Sequence, residues 1–315
     1  MFPTMFSSSA RPVIAIGAIH LDTIAHAGET IRRETSTPAI FSSRPGGVAT
    51  NVARALCRLG VKTSLVGVLG DDSAAQMLAG QLGGEGLRLA HATRPGMSTG
   101  QYLALHDPDG SLAAACVDDR ILSEAPAELF DPILAELITR TSSKALWFID
   151  ANLPEPVLKS VTGRLAAGVN GPLVIANAVS EAKAPRLKSV LGRLDCLFLN
   201  RGEAAALTGL SRDASQDDLA RALAGTDLRS FVLTGGRGDV LVREDNELTR
   251  FSPPQGDIVD VTGAGDALAA ATLAALARGY SLTKALPFGL SAAALTLRTT
   301  GALAADLSWD ALKVI

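Results

Sequence analysis

The chain has 315 residues, near the upper limit for a single hydrophobic core, and 47% hydrophobic against 19% charged residues excludes general disorder. Lys plus Arg is 29 and Asp plus Glu is 32, a formal charge of −3, so no basic excess favours nucleic acid. Cys57, Cys116 and Cys196 are too few and too scattered for a disulfide framework or a CxxC metal site, and they read as small hydrophobes in a reducing, cytoplasmic compartment.

Residues 1–10 lack the basic and apolar regions of a secretory signal and read as a disordered tail; no apolar run reaches the ~18–20 residues of a membrane helix. The run at 13–16, ending at Gly17, predicts a buried strand. Helical spacing over 48–59 stops at Gly60, a strand over 63–69 ends at Gly70, and a helix over 73–82 closes on Gly83 and Gly84. Further buried strands are predicted at 145–149, 173–175, 196–199, 231–233 and 240–242, with helices at 155–166, 181–191 and 203–208. Two long Ala/Leu-rich helices follow, near 264–278 and 282–298. Such strand–helix alternation implies an α/β fold with a mostly parallel sheet covered on both faces, in one domain over 11–315. Two regions interrupt it. Residues 22–44 and 98–119 read as strands without helices, the second folded at Asp107-Pro108-Asp109-Gly110. They form either two surface hairpins or a small sheet standing off the main one.

The strongest local motif is Asp260-Val261-Thr262-Gly263-Ala264-Gly265-Asp266, leading into a helix. Glycines before a helix start let backbone N–H groups converge on an anion. Asp266 is then either an ordinary first-turn carboxylate or a base that takes a proton from an attacking hydroxyl. Pro45-Gly46-Gly47 before a helix carrying Asn51 is either a plain loop and cap or a place where backbone approaches a hydroxyl-bearing ligand. His20, beside Asp22, reads as a satisfied loop histidine or a ligand contact. No Gly-Lys-Ser/Thr P-loop, Gly-x-Gly-x-x-Gly dinucleotide turn, protein-kinase signature, histidine cluster or Gly-x-Ser-x-Gly elbow occurs.

Taken together, the two motifs resemble the ribokinase-like (PfkB) family of carbohydrate kinases over nearly the whole chain. Gly46-Gly47 with Asn51, then Gly67-Val68-Leu69-Gly70-Asp71-Asp72, is similar to the family's N-terminal signature, and Asp260 to Asp266 to its C-terminal one. Asn200-Arg201-Gly202-Glu203 is similar to the Asn-x-x-Glu motif, and Thr234 with Gly236 to the Thr-x-Gly turn at the nucleotide. The chain departs from the pattern at Ala75, at Asp239 where the turn's last Gly belongs, and at Ala176-Asn177 where Asp-Pro is usual among pseudouridine kinases. Val48 after the glycines, Thr99 to Tyr102, Asp118, Asp150 to Leu153, and Val179-Ser180 with Lys183 resemble that subfamily.

The resemblance implies a three-layer ribokinase-like fold with a β lid from 22–44 and 98–119. It implies transfer of the ATP γ-phosphoryl to a primary hydroxyl, most simply O5′ of pseudouridine, with ribose or another nucleoside, or binding without catalysis, as alternatives. Asp266 would be the base, and Gly263, Ala264 and Gly265 the anion hole. Asp22, Gly46, Gly47 and Asn51 would hold the ribose, and Thr99, Asp118 and Asn152 the rest of the substrate. Asn200 and Glu203 would act on Mg²⁺ through water, Thr234 and Gly236 would face the nucleotide, and Asp260 and Thr262 would serve a monovalent cation such as K⁺. Pairing of two copies through the lid is also implied.

Overall fold

The computed structural model describes residues 10–141, 145–166 and 172–312. The expected tail lies outside them except for Ala10, which is packed partly against the core.

Chain order begins with β1 (Val13–Ile16), β2 (His20–Ala27), β3 (Ala39–Gly46), α1 (Val48–Arg58), β4 (Thr63–Leu69), α2 (Ser73–Gly84), β5 (Arg88–Thr93), β6 (Gln101–His106) and β7 (Leu112–Asp118). It continues with α3 (Arg120–Ser123), α4 (Asp131–Thr141), β8 (Leu146–Asp150), α5 (Glu155–Ala166), β9 (Leu173–Asn177), a 3-10 segment (Ala184–Arg193), β10 (Cys196–Asn200) and α6 (Arg201–Thr208). Then come α7 (Gln216–Ala224), β11 (Phe231–Thr234), β12 (Val240–Glu244), β13 (Glu247–Phe251), α8 (Ala264–Ala277) and α9 (Leu282–Leu297).

The main sheet has the order β13-β12-β11-β10-β9-β8-β1-β4-β5, parallel except for β12 and β13. Its strands are apolar on both sides because both faces are covered. In β1, Val13 and Ala15 join the core under α1, α8 and α9, whereas Ile14 and Ile16 join the core under α4 to α7. Leu146 and Phe148 of β8 divide from Trp147 and Ile149 in the same way. α8 is almost all alanine and leucine, so α9 lies close against it; a Cβ on Gly289 would overlap Thr272 and Leu268 of α8.

Sheet order reverses at β1, which has β4 on one side and β8 on the other, and this opens a crevice at the strands' C-terminal ends. The second sheet, β3-β2-β6-β7, is separate from the main one, so the separate small sheet is the alternative adopted. Two antiparallel hairpins join through a parallel β2–β6 pair. Among the described residues no helix is long and apolar enough to cross a membrane.

Residues 181–191, expected as an α-helix, instead give the 3-10 segment Ala184–Arg193. Pro185 has no N–H to donate, and bonds there run three residues back, as from Arg186 N to Lys183 O at 3.0 Å. β5, α3, α4, α7 and β13 have no counterpart in the expectations.

Candidate active site

Gly47 caps α1 with φ +99°, and any Cβ on it would collide with the Ala18 carbonyl. A Cβ on Gly46 would overlap the Asp22 carboxylate, so this glycine pair presses the start of α1 against β2. Asp150, at the end of β8 and fully buried, clamps the junction from below. It accepts hydrogen bonds from Ala18 N (3.3 Å), Ala49 N (2.9 Å) and Asn152 N (3.0 Å). Sequence reasoning quoted Asp150 within a motif but gave it no role; its signal is a carboxylate ending an otherwise apolar strand.

Gly263 caps α8 in the left-handed region (φ +75°) and packs on Ala302. Asp260 holds the preceding loop, accepting from Thr262 N and Gly301 N, both at 2.8 Å. The Ala264 amide bonds the Val261 carbonyl at 3.3 Å. The Gly265 and Asp266 amides have no partner among the described residues, which leaves two N–H donors free at the helix start. Asp266 meets Asn51, whose Nδ2 donates to Asp266 Oδ2 at 2.9 Å. Burial pushes the Asp266 carboxyl up to about 7; the Asn51 bond opposes this, and the charges of Asp150, Glu203 and Asp22 add to it. Burial likewise raises Asp22 to about 6, against the pull of Arg44 and Arg54. Asn51 Oδ1 is buried without a partner.

Along the strand ends, Asn200 and Glu203 form a capping box on α6: Glu203 N donates to Asn200 Oδ1 (3.0 Å) and Asn200 N to Glu203 Oε2 (2.8 Å). Burial raises the Glu203 carboxyl, and Oε1 keeps no hydrogen bond within the described chain. Thr234 ends β11, and Gly236 turns at φ +68°. Both line a cavity of about 380 Å³ that also reaches Val261, Ala264, Gly265 and Leu268. Asp239, the departure from the turn pattern, bonds Ser252 Oγ (2.8 Å) and Arg250 (3.3 Å), so the loop closes with a side chain where the family turn has a glycine.

Two expected substrate contacts fall elsewhere. Thr99 is fully buried and committed: its N and Oγ1 donate to Asp72 at 2.8 and 2.7 Å, and Gly70 N donates to its Oγ1 at 3.0 Å. It fastens the chain before β6 to the start of α2 and has no hydroxyl to spare. Asp118 forms an exposed ion pair with Arg120 at 2.7 Å, which holds its carboxyl low, at about 2. The neighbouring Asp119 faces inward instead, 3.5 Å from Lys183 Nζ, and Lys183 donates to Asn152 Oδ1 at 2.6 Å. His20 starts β2 rather than lying in a loop, and its Nε2 is buried with no partner, so it is not a satisfied histidine.

The structure thus brings Asp22, Gly46, Gly47, Asn51 and Asp266 together at one end of the crevice, with the cavity of Thr234 and Gly236 on the far side of the Gly263 turn. The arrangement suits transfer of an anionic group from the cavity to a hydroxyl held at Asp266. Residues 11–309 match the pfkB family carbohydrate kinase profile. The chain is 28% identical over 295 residues to the pseudouridine kinase of Escherichia coli, covering 91% of each protein. A carbohydrate kinase from Agrobacterium tumefaciens superposes with a TM-score of 0.85 at 30% identity, over 96% of this chain and 95% of that one. The Arabidopsis thaliana ribokinase complexed with ribose and ATP shares the fold, with a TM-score of 0.78 at 22% identity over 93% and 94% of the two chains. The chain belongs to the PfkB family of carbohydrate kinases.

Proposed function

We propose that this carbohydrate kinase transfers the γ-phosphoryl group of ATP to O5′ of pseudouridine. The observation that carries the chemistry is the carboxylate of Asp266 beside the unpartnered amides of Gly265 and Asp266, with Asn51 bonded to it at 2.9 Å. The substrate hydroxyl oxygen attacks phosphorus, the bond from phosphorus to the ADP oxygen breaks, and the hydroxyl proton passes to Asp266. The amides hold the equatorial oxygens of the moving group. A carboxyl raised to about 7 is ionised in about half of the molecules at neutral pH and is a better proton acceptor than one near 4.

Asp22 and Asn51 Oδ1, a buried acceptor with no partner, hold the sugar hydroxyls against Gly46 and Gly47. Thr234 and Gly236 face the nucleotide. Glu203 keeps one uncommitted carboxylate oxygen, a hard ligand that suits Mg²⁺ held through water beside Asn200. When bound, Mg²⁺ would neutralise the negative charge of the phosphates during the transfer. Asp260 has both oxygens committed to backbone amides, so it and Thr262 would serve K⁺ by shaping the loop. Ile40, Phe41, Leu112 and Val117 stand exposed on the lid, and we assign them to a second copy of the chain.

The substrate reading is supported by the likeness to the E. coli pseudouridine kinase and by Val48, an apolar residue after the glycines. A coupled kinase assay over pseudouridine, uridine, adenosine and ribose tests it: pseudouridine should give the highest kcat/KM. A higher value for any of the other three overturns the substrate while leaving the kinase chemistry intact.

A further inference from the structure

Beside the sugar end of the crevice lies a polar cluster that the phosphoryl transfer does not use. It consists of His20 from the start of β2, Asp119 after β7, Asn152 after β8 and Lys183 after β9. Three observations single it out. His20 is 7% exposed, and its Nε2 has no partner. Burial and the nearby Lys183 charge hold its pKa down at about 4, with Asp119 opposing, so the ring is neutral at pH 7.

Lys183 is the second observation. Its ammonium has three protons, of which Asn152 Oδ1 (2.6 Å) and Asp119 Oδ2 (3.5 Å) engage two. One N–H is left to donate, and Asp119 retains its other oxygen to accept.

The third is the backbone that places Lys183. Val179 has φ +67°, a conformation costly for a β-branched residue. Ser180 N closes a tight turn across it onto Ala178 O at 2.7 Å, and Asn177 Oδ1 accepts the Val179 amide at 2.8 Å. The next bond, from Lys183 N to Ser180 O at 3.0 Å, starts the segment that carries the lysine. Strain of about 1–3 kcal/mol persists where the surrounding structure over-determines a position, and it concentrates at functional sites.

We propose that Lys183, Asp119, Asn152 and His20 form the subsite that reads the edge of the substrate's base, a ring that alternates carbonyl and N–H groups, and that the strained turn at Val179 serves to place Lys183. His20 and Asp22 are two residues apart on β2, so their side chains share a face about 6–7 Å apart. A pentose held at Asp22 would therefore have His20 within reach of one of its substituents. Lys183 donates to a ring carbonyl, Asp119 accepts a ring N–H, and His20 Nε2 gains the partner it lacks. A free pentose satisfies none of these groups, and a site left with unpaired buried polar groups discriminates by orders of magnitude.

This inference rests on the nucleoside reading above. Its test compares the parent protein with Lys183→Met, Asp119→Asn and Asp118→Ala on pseudouridine, uridine and ribose at saturating Mg·ATP. Nucleoside affinity is measured in parallel by calorimetry without ATP, and folding by thermal denaturation. Lys183→Met and Asp119→Asn should each lower kcat/KM for pseudouridine by about 10²-fold and weaken its binding in step, with ribose changed by less than about threefold. The KM for ATP should hold. Equal losses on pseudouridine and ribose, no loss on either, or a shift in their ratio by Asp118→Ala in place of Asp119→Asn would each overturn the proposal. A parent that prefers ribose refutes the substrate named above. The subsite is decided separately, by whether the two variants change the nucleoside-to-ribose ratio.

Discussion

Replacing Asp266 with Asn should inactivate the enzyme and stabilise its fold, and the two effects have one cause. The carboxyl lies among Asp150, Glu203 and Asp22 with burial against it, and its pKa rises from 3.8 to about 7. At about 1.4 kcal/mol per unit, the ionised folded state is disfavoured by up to about 4 kcal/mol. Solvent at the cleft mouth screens part of this, and Asn gives up the ionic character of the Asn51 bond, leaving on the order of 1–2 kcal/mol. The sign follows from the folded state binding the proton more tightly than the unfolded chain. Stability attributable to this group is full below pH 4 and falls as pH rises toward 7, then stays flat. Asp266→Asn removes that loss, so its Tm should match the parent near pH 4 and exceed it by a few degrees at pH 8. Turnover should drop by about 10²–10⁴-fold with little change in the KM for ATP. Calorimetric melts from pH 4 to 8.5 beside steady-state kinetics read both. A correctly folded variant with near-parental turnover refutes the base assignment, and a Tm below the parent's at pH 8 refutes the electrostatic account.

The same carboxyl should set the pH profile: kcat/KM should fall with unit slope below about pH 7 and more steeply below about pH 6, where Asp22 also protonates; a plateau down to pH 5 would contradict this. Chelation should abolish activity and Mg²⁺ restore it. Glu203→Gln preserves the capping box and should raise the Mg²⁺ concentration for half-maximal rate about tenfold, whereas an unchanged titration reduces Glu203 to a cap. Gly47→Ala places a Cβ against the Ala18 carbonyl at φ +99° and should cost about 2 kcal/mol or more in urea unfolding with a raised sugar KM; a neutral result would mean that α1 moves freely against β1.

The sequence by itself determined what a few adjacent residues can encode. Val13 to Ile16 is apolar at every position, so it has to lie between two covered faces. Gly263 supplies a left-handed turn no side chain tolerates there, and α8 begins immediately after it, so the turn and the place of Asp266 in the first turn of the helix were legible within seven residues. The same holds for Gly46-Gly47 and α1. Only tertiary structure decided the commitments between distant segments. Thr99 reads as a substrate contact until Asp72, the cap of α2, takes both its donors. Asp118 and Asp119 are indistinguishable in sequence. At the end of β7 a one-residue step reverses the direction of a side chain, sending Asp118 outward to Arg120 and Asp119 inward to Lys183. Asp150 gains its role only because β1, α1 and the turn after β8 converge on it. His20 looks ordinary until folding removes its water and supplies no partner. Local rules fix backbone conformation, which depends on neighbouring residues; hydrogen-bond satisfaction depends on groups brought together from across the chain, and that is a property of the fold.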